Sequence, residues 1–328
     1  MRKRILSGMR PTGKLHLGHL VGALKNWVKL QDEYECYFMV ADWHALMSEY
    51  ENASVFRENA LDNVIDWISC GIDPKKSTIF IQSDIKEHLE LAMIFSSITP
   101  LGWLVRCPTY KEQLREVKNK DLHTYAFLGY PVLQAADILV YKANAVPVGQ
   151  DQLPHLEITR EIARRFNHLY KPLLPEPEAL LTKVPKLLGI DGRKMSKTYE
   201  NAINLSDPEP IIKEKVRSMF TDPQRIKRTD TGRPEVCNVY SYFSVFAPEE
   251  RREIGDGCRS AKIGCTECKE RLGCTLVNLL EPIHKKRKEL LANKRKLNKI
   301  LQLGEKKARK IASRTINEIK KATFKNGL

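Results

Sequence analysis

Three short runs, Ile5-Leu6, Cys36-Tyr37-Phe38-Met39-Val40 and Thr78-Ile79-Phe80-Ile81, are dense in β-branched and aromatic residues and each ends at polar or small ones, the marks of buried strands. Between them Leu17, Leu20, Val21, Leu24 and Val28 recur at helical spacing, as do Leu61, Ile65 and Ile68. Strand, helix, strand in that order predicts parallel strands joined by crossover helices, an open α/β sheet. Ligands of such sheets bind beyond the carboxyl ends of the strands, so the loops after Leu6, Val40 and Ile81 are where chemistry is expected. Past residue 200 the strand signal fades. Ile211–Phe220, Pro248–Ile254 and Leu276–Ala292 read as helices, Ala308, Ile311, Thr315 and Ile319 form a stripe on a C-terminal one, and Asp222–Pro234 reads as a loop. The expected organisation is an α/β domain over 1–200 and an all-helical domain over 201–328, whose last helix is a candidate to pack back on the first.

Composition narrows the class. With 42% apolar and 29% charged residues in 328, the chain has the balance of a globular protein with a core. No run without Asp, Glu, Lys or Arg exceeds 15 residues, and Leu91–Val105, of that length, contains Pro100 and Gly102, which excludes a membrane-spanning helix. The start, Met1-Arg2-Lys3-Arg4, lacks the apolar run of a signal peptide. A cytoplasmic protein is expected, with its eight cysteines as thiols or metal ligands rather than a disulfide framework. The net charge of +15 is concentrated late: the last 45 residues carry 16 Lys and Arg against Glu289, Glu305 and Glu318. Such a field concentrates a polyanion, although a solvated lysine-rich helix face gives the same count.

Two basic segments change the picture. Ser7-Gly8-Met9-Arg10-Pro11-Thr12-Gly13-Lys14-Leu15-His16-Leu17-Gly18-His19 leaves the first strand and enters the first helix. His16 and His19, three apart, face the same way there, Gly18 lets a flat ligand lie against the backbone, and the helix start offers N–H groups to phosphate. Gly192-Arg193-Lys194-Met195-Ser196-Lys197-Thr198 puts two lysines three apart in a loop able to close on a triphosphate. No P-loop and no G-x-G-x-x-G after a strand is present. As a pair, HLGH and KMSKT resemble the signatures of class I aminoacyl-tRNA synthetases, with Thr198 where serine is usual. That resemblance implies a Rossmann-like, parallel-sheet catalytic domain that activates an amino acid with ATP and Mg²⁺.

Val40-Ala41-Asp42-Trp43-His44-Ala45-Leu46, Tyr130-Pro131-Val132-Leu133-Gln134-Ala135-Ala136-Asp137-Ile138-Leu139 and Val146-Pro147-Val148-Gly149-Gln150-Asp151-Gln152 are similar to tryptophanyl-tRNA synthetases. Pro147-Val148-Gly149 stands where tyrosyl enzymes show a glycine pair. An indole is large and apolar with one donor, so its pocket needs hydrophobic walls and one acceptor. By resemblance the acceptor is Asp137, on the helix following Tyr130-Pro131. Tyr130 and Gln152 hold the substrate ammonium and carboxylate, and Leu6, His44, Val146 and Val148 wall the pocket. Gln134 replaces a methionine common in bacterial relatives. The nucleotide contacts implied are Arg10, Pro11, Thr12, Gly18, His19, Gly149, Gln150, Asp151, Val184 through its backbone, and Lys194, Met195, Ser196, Lys197 and Thr198. His16, His19, Lys194 and Lys197 are the expected catalytic group. The partners implied are tRNA(Trp), tryptophan, ATP and a second copy of the chain, with an anticodon-binding role for the helical domain. A tyrosyl enzyme and a non-catalytic RNA-binding paralogue remain the alternatives.

Cys237, Cys258, Cys265 and Cys268 form C-x₂₀-C-x₆-C-x₂-C, with Cys274 shortly after. Only one C-x₂-C pair is present, where zinc sites usually show two, and a [4Fe–4S] cluster takes four thiolates equally well. The pattern resembles one in a subset of bacterial tryptophanyl enzymes that bind such a cluster, so iron–sulfur is expected ahead of Zn²⁺, in a structural role. Cys36, Cys70 and Cys107 read as core thiols.

Overall fold

Five strands make one parallel sheet among the residues described by the computed structural model, which are 2–116, 120–181, 187–193, 195 and 200–324. They are β1 (Arg4–Met9), β2 (Glu35–Val40), β3 (Thr78–Ile81), β4 (Ala145–Val148) and β5 (Glu178–Leu181), in the order β3-β2-β1-β4-β5. The α/β expectation holds. β1 and β2 run in register from Arg4 opposite Glu35 to Met9 opposite Val40. Cys36, Tyr37, Phe38 and Val40 are fully buried, as strands covered by helices on both faces must be. The chain steps outward from β1 to β3 and then returns to β4 on the other side of β1. The β1/β4 junction is therefore the switch point of the sheet, where a doubly wound fold opens its ligand crevice. Arg10–Gly13 leave β1 and Gly149–Gln152 leave β4 at that end.

The contacts divide the chain into two units. The first comprises Met1–Gly13, Asn26–Lys183 and Asn293–Leu328, the second Lys14–Lys25 and Val184–Ala292. This differs from a division at residue 200, for two physical reasons. The entry to the first helix is hydrogen-bonded to the chain near residue 204: Leu17 N donates to Ile203 O (3.0 Å) and Leu205 N to Leu15 O (2.8 Å). The last helix, Lys294–Phe324, meanwhile joins the sheet's core, with Ala308, Ala312, Ile316 and Ile319 in one buried cluster with Phe80, Leu91, Phe95 and Leu139.

The first helix is not regular. After Leu17–His19 it widens to a π turn over Leu20–Leu24, where Lys25 N donates to Leu20 O, and resumes as Lys25–Glu33. In the second unit Glu209–Arg217 and Asn238–Phe246 pack on the long helix Cys265–Ala292, burying Ile212, Val216, Phe243, Leu272, Leu276 and Leu280. No helix among the described residues is long and apolar enough to cross a membrane.

Candidate active site

In the first unit the helix Tyr125–Val140 starts where Thr124 accepts a hydrogen bond from Phe127 N (3.2 Å). Tyr130 and Pro131 lie inside this helix rather than before it. Two turns on, Asp137 is 1% exposed. Its Oδ1 accepts from Gln82 Nε2 (2.8 Å) and from His88 Nδ1 (2.7 Å), and its Oδ2 from His44 Nε2 (2.7 Å). Burial favours the neutral acid, yet the hydrogen bonds from His44 and His88 outweigh it and hold the carboxyl below its usual range. Each carboxylate oxygen can accept two hydrogen bonds, so Oδ1 is filled and one acceptor position remains, on Oδ2. Leu6, Val146 and Val148 belong to the same buried cluster as Met39, Ala136 and Tyr141, and His44 stands on the helix Asp42–Glu49 that follows β2.

Tyr130 and Gln152 meet through a residue that the motifs did not single out. The Tyr130 hydroxyl is hydrogen-bonded to His155 Nε2, and His155 Nδ1 lies 2.9 Å from Gln152 Oε1. Gln152 Nε2 in turn donates to Asp151 Oδ2 (2.8 Å). Burial lowers the His155 pKa to about 4, so at neutral pH the ring carries one proton. Nδ1–H donates to Gln152 and Nε2 accepts from the phenol, whose pKa burial pushes up. The carboxylate of Asp151 leans over Gly149, where an added Cβ would stand 2.5 Å from Oδ1. On the β1 side Thr12 N closes a turn on Arg10 O (2.9 Å), and Arg10 Nη1 donates to Ser48 Oγ (3.0 Å). Pro11 is buried.

In the second unit His16 Nδ1 accepts from Gly18 N (3.1 Å), while His16 N donates to His19 Nδ1 (3.2 Å). With both Nδ1 atoms acting as acceptors, both rings carry their proton on Nε2, and their centroids are 3.9 Å apart. The pair thus presents two N–H donors, the chemistry a phosphate needs. A Cβ on Gly18 would lie 3.2 Å from Met195 Sδ. The middle of the KMSKT segment therefore stands against the glycine of HLGH. Its stem is tied down from several sides: Asn238 Nδ2 donates to Gly189 O (2.7 Å), Tyr242 OH to Leu188 O (2.7 Å) and Ile190 N to Asn201 O (2.8 Å). Val184, Lys194, Ser196, Lys197 and Thr198 lie outside the described residues.

The four spaced cysteines share one neighbourhood. Burial and the thiols of Cys237, Cys258 and Cys265 push Cys268 up to about 12, and Cys237 is raised by burial and by Cys258 and Cys265. Cys274 is exposed. No three His, Cys, Asp or Glu side chains among the described residues converge on a position for one metal ion. Arg225 Nη1 lies 3.6 Å from Cys258 Sγ, and its Nε is buried with no hydrogen-bond partner among the described residues. Cys36 and Cys107 are buried and Cys70 is half-buried.

Gln82, His88, Tyr141, His155 and Arg225 are site residues that sequence patterns missed. Only Tyr141, one helical turn beyond Asp137, carried a local signal.

Known proteins place the chain in a family. The family described as tRNA synthetases class I (W and Y) matches residues 2–281. The tryptophan–tRNA ligase of Thermotoga maritima is 52% identical over 97% of this chain and 98% of its own length, and that of Aquifex aeolicus 44% identical over 97% and 99%. Among solved structures, tryptophanyl-tRNA synthetase from Campylobacter jejuni complexed with ADP and tryptophan superposes with a TM-score of 0.88 at 34% identity, covering 97% of this chain and 98% of that one. A tyrosyl-tRNA synthetase from Archaeoglobus fulgidus, at 22% identity and a TM-score of 0.67, shares the fold. The chain belongs to the class I tRNA synthetases of the tryptophan and tyrosine family.

Proposed function

We propose that this protein is a tryptophan–tRNA ligase. The observation that carries the reading is that Met195 of KMSKT, about 175 residues from HLGH in sequence, lies against Gly18 of HLGH, while Leu15 and Leu17 pair with Leu205 and Ile203. In the first step a carboxylate oxygen of tryptophan attacks the α-phosphorus of ATP, and the bond to pyrophosphate breaks. His16 and His19 donate from Nε2 to the phosphates, and Lys194 and Lys197 neutralise charge as pyrophosphate leaves. Arg10, Pro11, Thr12, Gly149, Gln150, Asp151, Val184, Ser196 and Thr198 complete the nucleotide contacts. Mg²⁺ travels with the phosphates and supplies further charge neutralisation. Tyr130 and Gln152, aligned by His155, hold the substrate ammonium and carboxylate, and Asp137 Oδ2 accepts the indole N–H. In the second step the 2′-OH of the terminal adenosine attacks the mixed anhydride at its carbonyl carbon, and AMP leaves.

The test is ATP–pyrophosphate exchange with tryptophan and tyrosine side by side. Exchange driven by tryptophan alone supports the reading. Exchange driven by tyrosine, or tRNA binding with no exchange, overturns it.

Cys237, Cys258, Cys265 and Cys268 are assigned to a [4Fe–4S] cluster. Burial and the neighbouring cysteines push Cys268 up, so a set of four thiolates there would need nearby positive charge, which bound iron would supply and to which the Arg225 cation beside Cys258 adds. Cys237 in its loop and Cys258, Cys265 and Cys268 on their helices would hold the cluster, which would tie those segments together. The helices within 201–328 are assigned to the anticodon end of tRNA(Trp), in a homodimer. On Lys294–Phe324 the exposed Arg295, Lys299, Lys306, Lys310 and Lys321 fall within ~80° of one another around the helix axis, a row of charge suited to phosphates.

A further inference from the structure

We propose that His88, backed by the Tyr141 hydroxyl, is a positioning residue for indole recognition: it fixes Asp137 so that Oδ2 keeps its remaining acceptor position aimed at a ring N–H. This rests on the reading of Asp137 as the indole acceptor.

His88 is fully buried on the helix Glu87–Ile98, its ring stacked near Phe80 at 6.1 Å between centroids. One nitrogen faces Asp137 Oδ1 at 2.7 Å and the other the Tyr141 hydroxyl at 2.8 Å. An ionised carboxylate only accepts, so His88 Nδ1 carries a proton; in the neutral ring Nε2 then accepts from the phenol. Burial, and then the charge of Asp137, keeps Tyr141 protonated. The phenol thus selects the tautomer that suits Asp137, as outer partners do for ligating histidines. Without its hydroxyl the ring can take the other tautomer, which turns a lone pair toward the carboxylate.

Three buried polar groups cost stability unless every one is satisfied. Here each is satisfied, and the result is directional. Gln82 and His88 saturate Oδ1, and His44 takes one position on Oδ2. Rotating the carboxylate would break all three bonds, so a ring N–H meets a fixed acceptor and a ring without one leaves that acceptor unpaired. A site of that kind rejects the analogue lacking the donor far more strongly than an apolar pocket does.

The test uses tryptophan and its benzothiophene analogue, which has sulfur in place of the ring N–H, in ATP–pyrophosphate exchange. His88→Leu is expected to raise KM for tryptophan ~30-fold, with KM for ATP within about twofold, and to lower the preference for tryptophan over the analogue by at least ~10-fold. His88→Asn, whose amide N–H occupies the place of Nδ1–H, is expected to recover most of that preference. Tyr141→Phe is expected to lower it ~3- to 5-fold. A preference unchanged in His88→Leu but lost in Asp137→Leu overturns the role of His88 while leaving Asp137 as acceptor. A preference unchanged in Asp137→Leu overturns the acceptor reading itself. If His88→Leu does not fold, Tyr141→Phe, which removes a single oxygen, decides: an unchanged preference there overturns the inference.

Discussion

Gly304 lies so close to the backbone of Ile79 that an added Cβ would overlap the Ile79 carbonyl oxygen. The last helix therefore runs directly on β3, and only a residue without a side chain allows it. Gly304→Ala is expected to destabilise the protein by about 1–3 kcal/mol, the usual cost of overpacking against atoms that cannot yield. A shift of the urea midpoint measures it, and a wild-type midpoint would show that the helix stands off the sheet.

His155 makes stability depend on pH. Its folded pKa, about 4, lies below the usual 6.5, so the unfolded chain binds the extra proton more readily. Stability is full above pH 6.5, falls as the pH drops toward 4, and then levels off. Between about pH 7 and pH 5 the loss from this group is ~2 kcal/mol. Denaturant titrations at the two pH values should show that difference, and His155→Phe should remove most of it.

Lys197→Ala is expected to slow adenylate formation ~100-fold while changing tryptophan affinity by less than about threefold, because the charge it meets develops only as pyrophosphate leaves. Pyrophosphate exchange and equilibrium binding separate the two. Normal exchange kinetics would remove the loop lysine from the chemistry.

Purified without oxygen, the protein should be brown, with broad absorbance near ~400 nm. Cys268→Ser should bleach it. Colourless protein with stoichiometric zinc would replace the cluster by a single ion.

The basic row on Lys294–Phe324 should make tRNA recognition salt-dependent. Raising salt from about 50 to about 200 mM is expected to raise KM for tRNA at least ~10-fold, and Lys306→Glu with Lys310→Glu should flatten that slope. A flat wild-type profile would mark the row as a solvated helix face.

Much of the architecture was legible because its signals are local. Thr78–Ile81 is a strand at the limits read from its apolar run, and Asp222–Pro234 is irregular, as its prolines and glycine suggested, up to Pro234, which opens a short 3-10 helix. Helix limits were less legible. Cys265–Ala292 begins well before the apolar stripe at Leu276, since its first turns pack few large side chains. β4 and β5 are only four residues each, too short to show a period.

HLGH and KMSKT could be read from sequence because a phosphate site needs contiguous backbone and closely spaced cations, and so could Asp137, because it sits inside a recognisable run. The company Asp137 keeps could not. His44 follows β2, Gln82 and His88 follow β3, and all three reach one carboxylate because those strands lie side by side in register while their crossover helices turn back over the same end. Hydrogen-bond partners gathered in this way have no period and no spacing along the chain. Their meeting is set by strand order and helix packing, and only the folded molecule carries that information.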